Sequence, residues 1–356
     1  MASSVVAKLI DIMSIGAIAF AVAFASTPLL TNFLYRARLG KQIREGKTPV
    51  FTKLHKKKAG TPTGGGVLIW GTVLVLALVF WLIGDVFGAK LFGEHFSFLS
   101  REETWLPLGV LVLTAIVGLV DDIFGARGIG PFGGGLRIRH RLLLYTAIAS
   151  VGAWWFFSKL GFDILHLPGI GDFSIGAWYI PLFVFVVVAT AFSVNETDGL
   201  DGLSGGVLTA AFVAFGVIAF VQGRIDLAMF IAAIVGALLA FLWFNVYPAR
   251  FFMGDTGAMS LGFTLAIVAF LTNSVLVLPI IGFVLVVESA SVIVQVFSKK
   301  VFKRKIFKST PIHHHFEAIG WPEPKVVMRF WIVAGITAML GLLVGLVGRG
   351  QGIFII

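Results

Sequence analysis

Leu106-Pro-Leu-Gly-Val-Leu-Val-Leu-Thr-Ala-Ile-Val-Gly-Leu-Val120 runs directly into Asp121-Asp122. An uncharged apolar run of that length suits a helix crossing much of the ~30 Å hydrocarbon layer of a bilayer. A carboxylate at the centre of such a helix costs about 2.5–3.5 kcal/mol on insertion scales, so the acidic pair belongs at the membrane boundary. The arrangement recurs along the chain. Asp198 with Asp201, and then Asp255, stand just past the ends of membrane-length runs, on the side where Lys and Arg collect.

Composition agrees with a membrane protein. The 356 residues are 58% hydrophobic and 13% charged, about half the charged fraction of soluble domains. The sequence predicts an all-α, polytopic membrane protein forming one domain over residues 1–356, with about ten spans at 12–34, 66–87, 105–121, 141–160, 177–194, 204–221, 226–245, 257–273, 277–298 and 328–348. The first run contains Ala-Phe-Ala-Ser at 23–26 but is long for a signal segment and lacks a strongly basic start, so it reads as a retained span. Alternating the connections puts 22 of the 28 Lys and Arg on one side and 6 on the other. The positive-inside rule then predicts a cytoplasmic site, with both termini outside. Cysteine is absent, which excludes a thiolate nucleophile or metal site. The net charge of +10 flanks membrane segments, favouring lipid headgroups and phosphorylated ligands over nucleic acid.

Five polar stretches fall on that basic side, at 53–66, 121–141, 195–206, 245–257 and 299–325. Asp121 and Asp122 are adjacent, so on a helix they face different partners. In Asn195-Glu-Thr-Asp-Gly-Leu-Asp-Gly-Leu203, Asp198 and Asp201 are three apart and could share a helical turn. The glycines there permit close approach of backbone to a nucleotide or metal-bound phosphate, although Asp and Gly also make ordinary turns. Asn245-Val-Tyr-Pro-Ala-Arg-Phe-Phe-Met-Gly-Asp-Thr-Gly257 sets Asp255 at the mouth of a span, as a ligand for Mg²⁺ or as a helix cap. Phe251 and Phe252 suit base stacking or interfacial anchoring. Lys56-Lys-Lys-Ala-Gly-Thr-Pro-Thr-Gly-Gly-Gly66 lacks the Gly-Lys-Ser/Thr order of a P-loop; it suits an anion site at a helix start, although such a cluster is more often only the positive-inside signal. The Gly-rich loop 128–135, followed by Arg137, Arg139 and Arg141, reads either as a flexible loop or as one that brings a phosphate-facing Arg. In Pro311-Ile-His-His-His-Phe-Glu317, consecutive imidazoles cannot converge on one ion from a helix or strand, so phosphate contact or proton transfer fits better than zinc.

In this order the strings resemble the phospho-N-acetylmuramoyl-pentapeptide-transferases, within the polyprenyl-phosphate N-acetylhexosamine-1-phosphate transferase superfamily. The likeness runs from about Lys56 to Arg329, and the histidine string with Trp321-Pro-Glu-Pro324 is similar to the muramoyl branch. It implies a homodimeric, multi-pass enzyme of the bacterial inner membrane that transfers phospho-MurNAc-pentapeptide from UDP-MurNAc-pentapeptide to undecaprenyl phosphate with Mg²⁺, giving UMP and lipid I. By position it implies Asp255 as metal ligand, and Asp121, Asp122, Asp255 and His314 as catalytic residues. Lys58, Thr63 and Arg141 then belong near phosphates, with Asn195, Asp198, Asp201, Gly202, Leu203, Asn245 and Phe252 on the nucleoside side. Gln295, His313 and His315 complete the substrate-binding set. The chain departs from the pattern at Glu196, where an apolar residue is usual, at Arg141, where Lys is usual, and in a longer Gly-rich loop. The rival readings are a sibling enzyme using UDP-GlcNAc and an ion-coupled transporter or flippase; transport favours ionisable groups near the midplane rather than at one face.

Overall fold

A computed structural model describes residues 2–40, 58, 60–86, 96–101, 103–130 and 134–347. Lys56 and Lys57 of the basic cluster, positions 131–133 of the Gly-rich loop and the last residues of the second and tenth expected spans lie outside the described residues. The helices are α1 (Ala2–Arg36), α2 (Val67–Trp81), α3 (Trp105–Ala126) and α4 (Ile138–Trp154). An antiparallel hairpin follows, β1 (Ile164–Leu167) with β2 (Gly171–Ser174). Then come α5 (Tyr179–Thr197), α6 (Leu203–Val221), α7 (Ile225–Asn245) and α8 (Gly254–Leu271). The chain continues with α9 (Leu278–Ile281), α10 (Phe283–Val301), α11 (Ile312–Ala318) and α12 (Glu323–Val347).

Eight of these helices are long and apolar enough to cross a membrane. The segment Val275–Ile281 and α10 make a ninth if counted as one span, but they meet at an 80° bend. The expected span at 141–160 corresponds to α4, whose 17 residues of α-helix give way to a π-helical turn at Trp155–Lys159. The protein is therefore a mostly helical, multi-pass membrane protein, with one short hairpin that the all-α expectation omits.

α8 forms the core. In its most apolar window 94% of residues are buried inside the protein, against 11% for α1 and 22% for α12. Small residues explain its position, because they let helix backbones approach closely where lipid provides no hydrophobic drive. A Cβ on Gly262 would lie 2.7 Å from the Ala191 backbone of α5, and one on Gly118 of α3 would lie 2.4 Å from the Asp255 carbonyl. Ser260 and Thr264 return their hydroxyls to carbonyls one turn back, at 2.6 and 2.8 Å, so they bury no unsatisfied group. The Gly118 contact matters most for function. It seats the end of α3, with its two carboxylates, directly on the start of α8.

Candidate active site

The final turns of α3, α5 and α7 and the first turns of α4, α6, α8 and α12 gather at one end of the bundle. Their polar side chains form three linked clusters.

The first surrounds Asp255. Both members of the acidic pair are buried, and they turn to different partners, as adjacent helix positions must. Asp122 accepts the backbone N–H groups of Asp255 and Thr256, each at 3.0 Å, and the Thr63 hydroxyl at 3.1 Å. It thus caps the N-terminus of α8 from another helix, where free N–H groups and the helix dipole favour an anion. Gly254 makes that approach possible: its φ is +74°, and a Cβ there would lie 2.5 Å from both the Asp122 carboxylate and the Thr63 hydroxyl. With the cap supplied by Asp122, the Asp255 carboxylate is left to face inward. It receives Arg141 through both terminal nitrogens, at 3.2 and 2.6 Å, and the Asn195 amide N–H. Asp121 accepts the same guanidinium at 2.7 Å and the Leu136 N–H at 2.6 Å, which ties the end of the Gly-rich loop to α3. Arg141 also donates to Asn195 Oδ1 at 3.3 Å. A small cleft opens between Asp121, Arg141, Tyr145, Asp255 and Met259.

The second cluster holds the turn between α5 and α6. Lys58 donates to Asp201 at 2.6 Å and to Glu323 at the start of α12. Asp201 also accepts the Ala249 N–H at 3.0 Å, while its own N–H donates to Glu323 at 2.7 Å. Gly202 donates to Asn245, whose amide N–H goes on to the Phe251 carbonyl at 2.8 Å. Leu203 is the first, fully buried residue of α6. The Lys58 ammonium stands 5.9 Å above the Phe252 ring. Backbone bonds from Phe252 to Pro62 and from Gly65 to Phe252, both 2.8 Å, lock the Gly-rich entry to α2 against this segment.

The third cluster is built on α11. One helical turn gives the three histidines three different directions. His313 Nδ1 lies 2.9 Å from Glu288 of α10, and His314 Nδ1 lies 2.7 Å from Glu317. His315 turns back to accept the Lys308 N–H at 3.1 Å. Gln295 holds the backbone of Ile306 and Phe307 with its amide, at 2.9–3.0 Å. In these contacts it and His315 shape the 302–310 loop.

One segment runs through all three clusters. Asn195 bonds Asp255, Gly199 lies against His313 and His314, and Asp201 and Gly202 enter the Lys58 cluster. Asp198, half-buried, ends α5 between the first two. Reasoning from sequence missed Glu288, Glu317, Glu323 and Trp331, whose indole N–H donates to the Gly202 carbonyl at 3.1 Å. A signal existed for Glu288, which is an ionisable residue inside an apolar run.

Residues 104–273, from α3 to the end of α8, match the family described as Glycosyl transferase family 4, and the site's first cluster falls largely within them. A multi-pass bundle with acids and amides gathered at one end, matching that family, defines a membrane-embedded glycosyl transferase. The chain is 38% identical over 358 residues to a phospho-N-acetylmuramoyl-pentapeptide-transferase of Chloroflexus aurantiacus, covering 96% of this chain and 92% of that one. It is 40% identical over 330 residues to another of Geobacillus sp. (strain WCH70), covering 91% and 95%. The chain belongs to the phospho-N-acetylmuramoyl-pentapeptide-transferase family, and it is an enzyme, a glycosyl-1-phosphate transferase.

Proposed function

We propose that this enzyme moves phospho-MurNAc-pentapeptide from UDP-MurNAc-pentapeptide to undecaprenyl phosphate, releasing UMP and forming lipid I at the cytoplasmic face of the bacterial inner membrane. One observation carries the reading: a single segment, 195–203, touches the acidic cluster, the Lys58 cluster and the histidines, so one extended substrate can meet all three. In this reading the chain crosses the membrane ten times as one domain, with both termini outside and the 22 cations within. Family likeness alone supports a homodimer.

The donor chemistry suits Mg²⁺. Asp255, Asp121 and the Asn195 carbonyl are hard oxygen ligands that converge on the Arg141 guanidinium, so the place they share is already built for a cation. Asp255 would hold the ion, with Asp121 and Asn195 beside it. The chemistry such an ion supplies when bound is neutralisation of charge on the departing phosphate.

The remaining work falls to the chain. Asp122 fixes the start of α8 and thereby aims Asp255. Asp121 faces the cleft and is the carboxylate suited to orient the lipid phosphate, or take its proton, for in-line attack. Arg141 and Lys58 bind phosphate oxygens, and His313 and His314 receive a further one. Asn195, Asp198, Asp201, Gly202, Leu203, Asn245 and Phe252 form the nucleoside side, with Thr63 steadying Asp122. Gln295 and His315 complete the substrate-binding set at the edge of the 302–310 loop, which they also hold in place. UMP release by purified protein, with and without Mg²⁺, tests the reading. Conversion of UDP-MurNAc-pentapeptide to a lipid-soluble product in detergent is the expected result. Preference for UDP-GlcNAc, or no UMP, would overturn it.

A further inference from the structure

We propose that Glu288 and Glu317 are positioning residues that orient His313 and His314, the two imidazoles that the reading above sets on a phosphate, with Gly199 kept bare to seat both rings. The inference rests on the nucleotide-sugar reading above and adds to it two acidic residues.

The geometry is the same for both histidines. In each, Nδ1 faces a buried carboxylate, at 2.9 Å for His313 and 2.7 Å for His314. Each ring is thereby turned so that Nε2 points the other way. The two Nε2 atoms meet at one place: a Cβ built on Gly199 would lie 2.3 Å from that of His313 and 3.3 Å from that of His314. The carboxylates come from different elements, α10 and α11, so one helical repeat does not produce the coincidence. The third imidazole has no such carboxylate on Nδ1, which takes a backbone N–H instead.

Glu288 is fully buried in an apolar helix, where its carboxyl meets the Ile312 and His313 backbone N–H groups at the start of α11 as well as His313 Nδ1. A buried ion pair adds little over apolar packing, so an acid on each of the two rings points to orientation of the imidazoles as well as to folding. A carboxylate on Nδ1 does fix the tautomer and orientation of an imidazole and stabilises its protonated form. Two Nε2–H donors side by side then offer charge-assisted hydrogen bonds to a phosphate. No bond is made or broken at these rings; they hold one end of the pyrophosphate while exchange proceeds at Asp255.

The test uses the full chain in detergent, with ¹⁵N-labelled histidine, as wild type, Glu288→Gln, Glu317→Gln and Glu288→Asp. Three readouts are taken: the unfolding midpoint, the histidine ¹⁵N resonances, and kcat and KM for UMP release. Each Gln variant is expected to keep the wild-type midpoint, to lose the carboxylate-bound Nδ1 signature of one histidine, and to lower kcat about 10- to 100-fold, as supporting partners of imidazoles do. Glu288→Asp should recover part of the loss. Folded Gln variants with wild-type kcat, or with unchanged histidine resonances, would overturn the proposal. If Glu288→Gln fails to fold, Glu317→Gln decides alone. If the wild type releases no UMP, the functional reading fails, and the resonances still report whether the two acids orient the two rings.

Discussion

The two ends of α8 are built differently. At Asp255, side chains join residues far apart in sequence: Asp122 to Thr256, Arg141 to Asp255, Lys58 to Glu323. At Leu271, beyond which the β1–β2 hairpin docks, the ion pair is local. His166 and Asp172 face each other across the hairpin at 2.6 Å, with 61% of the Asp172 side chain exposed. Buried carboxylates cost desolvation and must be bonded, whereas an exposed pair contributes little. The first end therefore concentrates costly groups where chemistry needs them, and the second uses polar groups only to finish a loop. Substitutions at the two ends should differ by orders of magnitude in effect, which gives the contrast its test.

The largest effect is expected at Asp255. Asp255→Asn removes a carboxylate that caps nothing and accepts Arg141 and Asn195, so UMP release should fall more than about a thousandfold while the unfolding midpoint stays near wild type. A folded variant with wild-type turnover would remove Asp255 from the chemistry. Asp122→Asn should be nearly as inactive for a different reason. It replaces a charged cap on two N–H groups, so about 1.5–3 kcal/mol of stability should go with the activity; loss of activity without loss of stability would make Asp122 a substrate contact instead. Gly199→Ala comes next. A methyl 2.3 Å from His313 Nε2 must displace that ring, so kcat should drop at least about tenfold. Wild-type kinetics for this variant would show that the placement of that ring does not matter to turnover.

Much of the site end was legible because its residues sit at the boundaries of apolar runs. Asp121-Asp122 and 195–203 stand out by being charged where a span has just ended, and the α8 entry stands out by its glycines. The partners were not legible, since nothing in the run Leu106–Val120 tells that Asp122 will cap a helix more than 130 positions away. Hydropathy also hides the 80° bend: a glycine at 282 inside an apolar run looks like any tolerated membrane glycine. α4 reads as an ordinary span through Trp155–Lys159, although its helix changes there to π-form. The sequence marks Arg141 as a phosphate-side candidate but hides its place between Asp121, Asp255 and Asn195. Glu288 is harder to see because it lies inside an apolar run and not at the end of one.

Glu323→Gln gives a smaller effect at the same end. It weakens the hold on Lys58 and on the Asp201 N–H together, so kcat/KM should fall about five- to thirtyfold, the equivalent of one or two charge-assisted bonds. An equal loss in a Lys58→Ala, Glu323→Gln double variant as in Lys58→Ala alone would show that Glu323 acts through Lys58. Fully multiplicative losses would separate them.

The smallest effect belongs to the opposite end. Asp172→Asn breaks the pair with His166 but leaves the hairpin its backbone ladder and the His166 N–H bond to Asn273 at 3.2 Å. An exposed pair of this kind is worth about 0–1 kcal/mol, so the unfolding midpoint should move little and UMP release should stay within about twofold of wild type. The hairpin is joined to the site through the lengths of α4, α5 and α8. A tenfold loss of activity in Asp172→Asn, with the fold intact, would mean that the two ends communicate along those helices, and the division between a chemical end and a structural end would have to be abandoned.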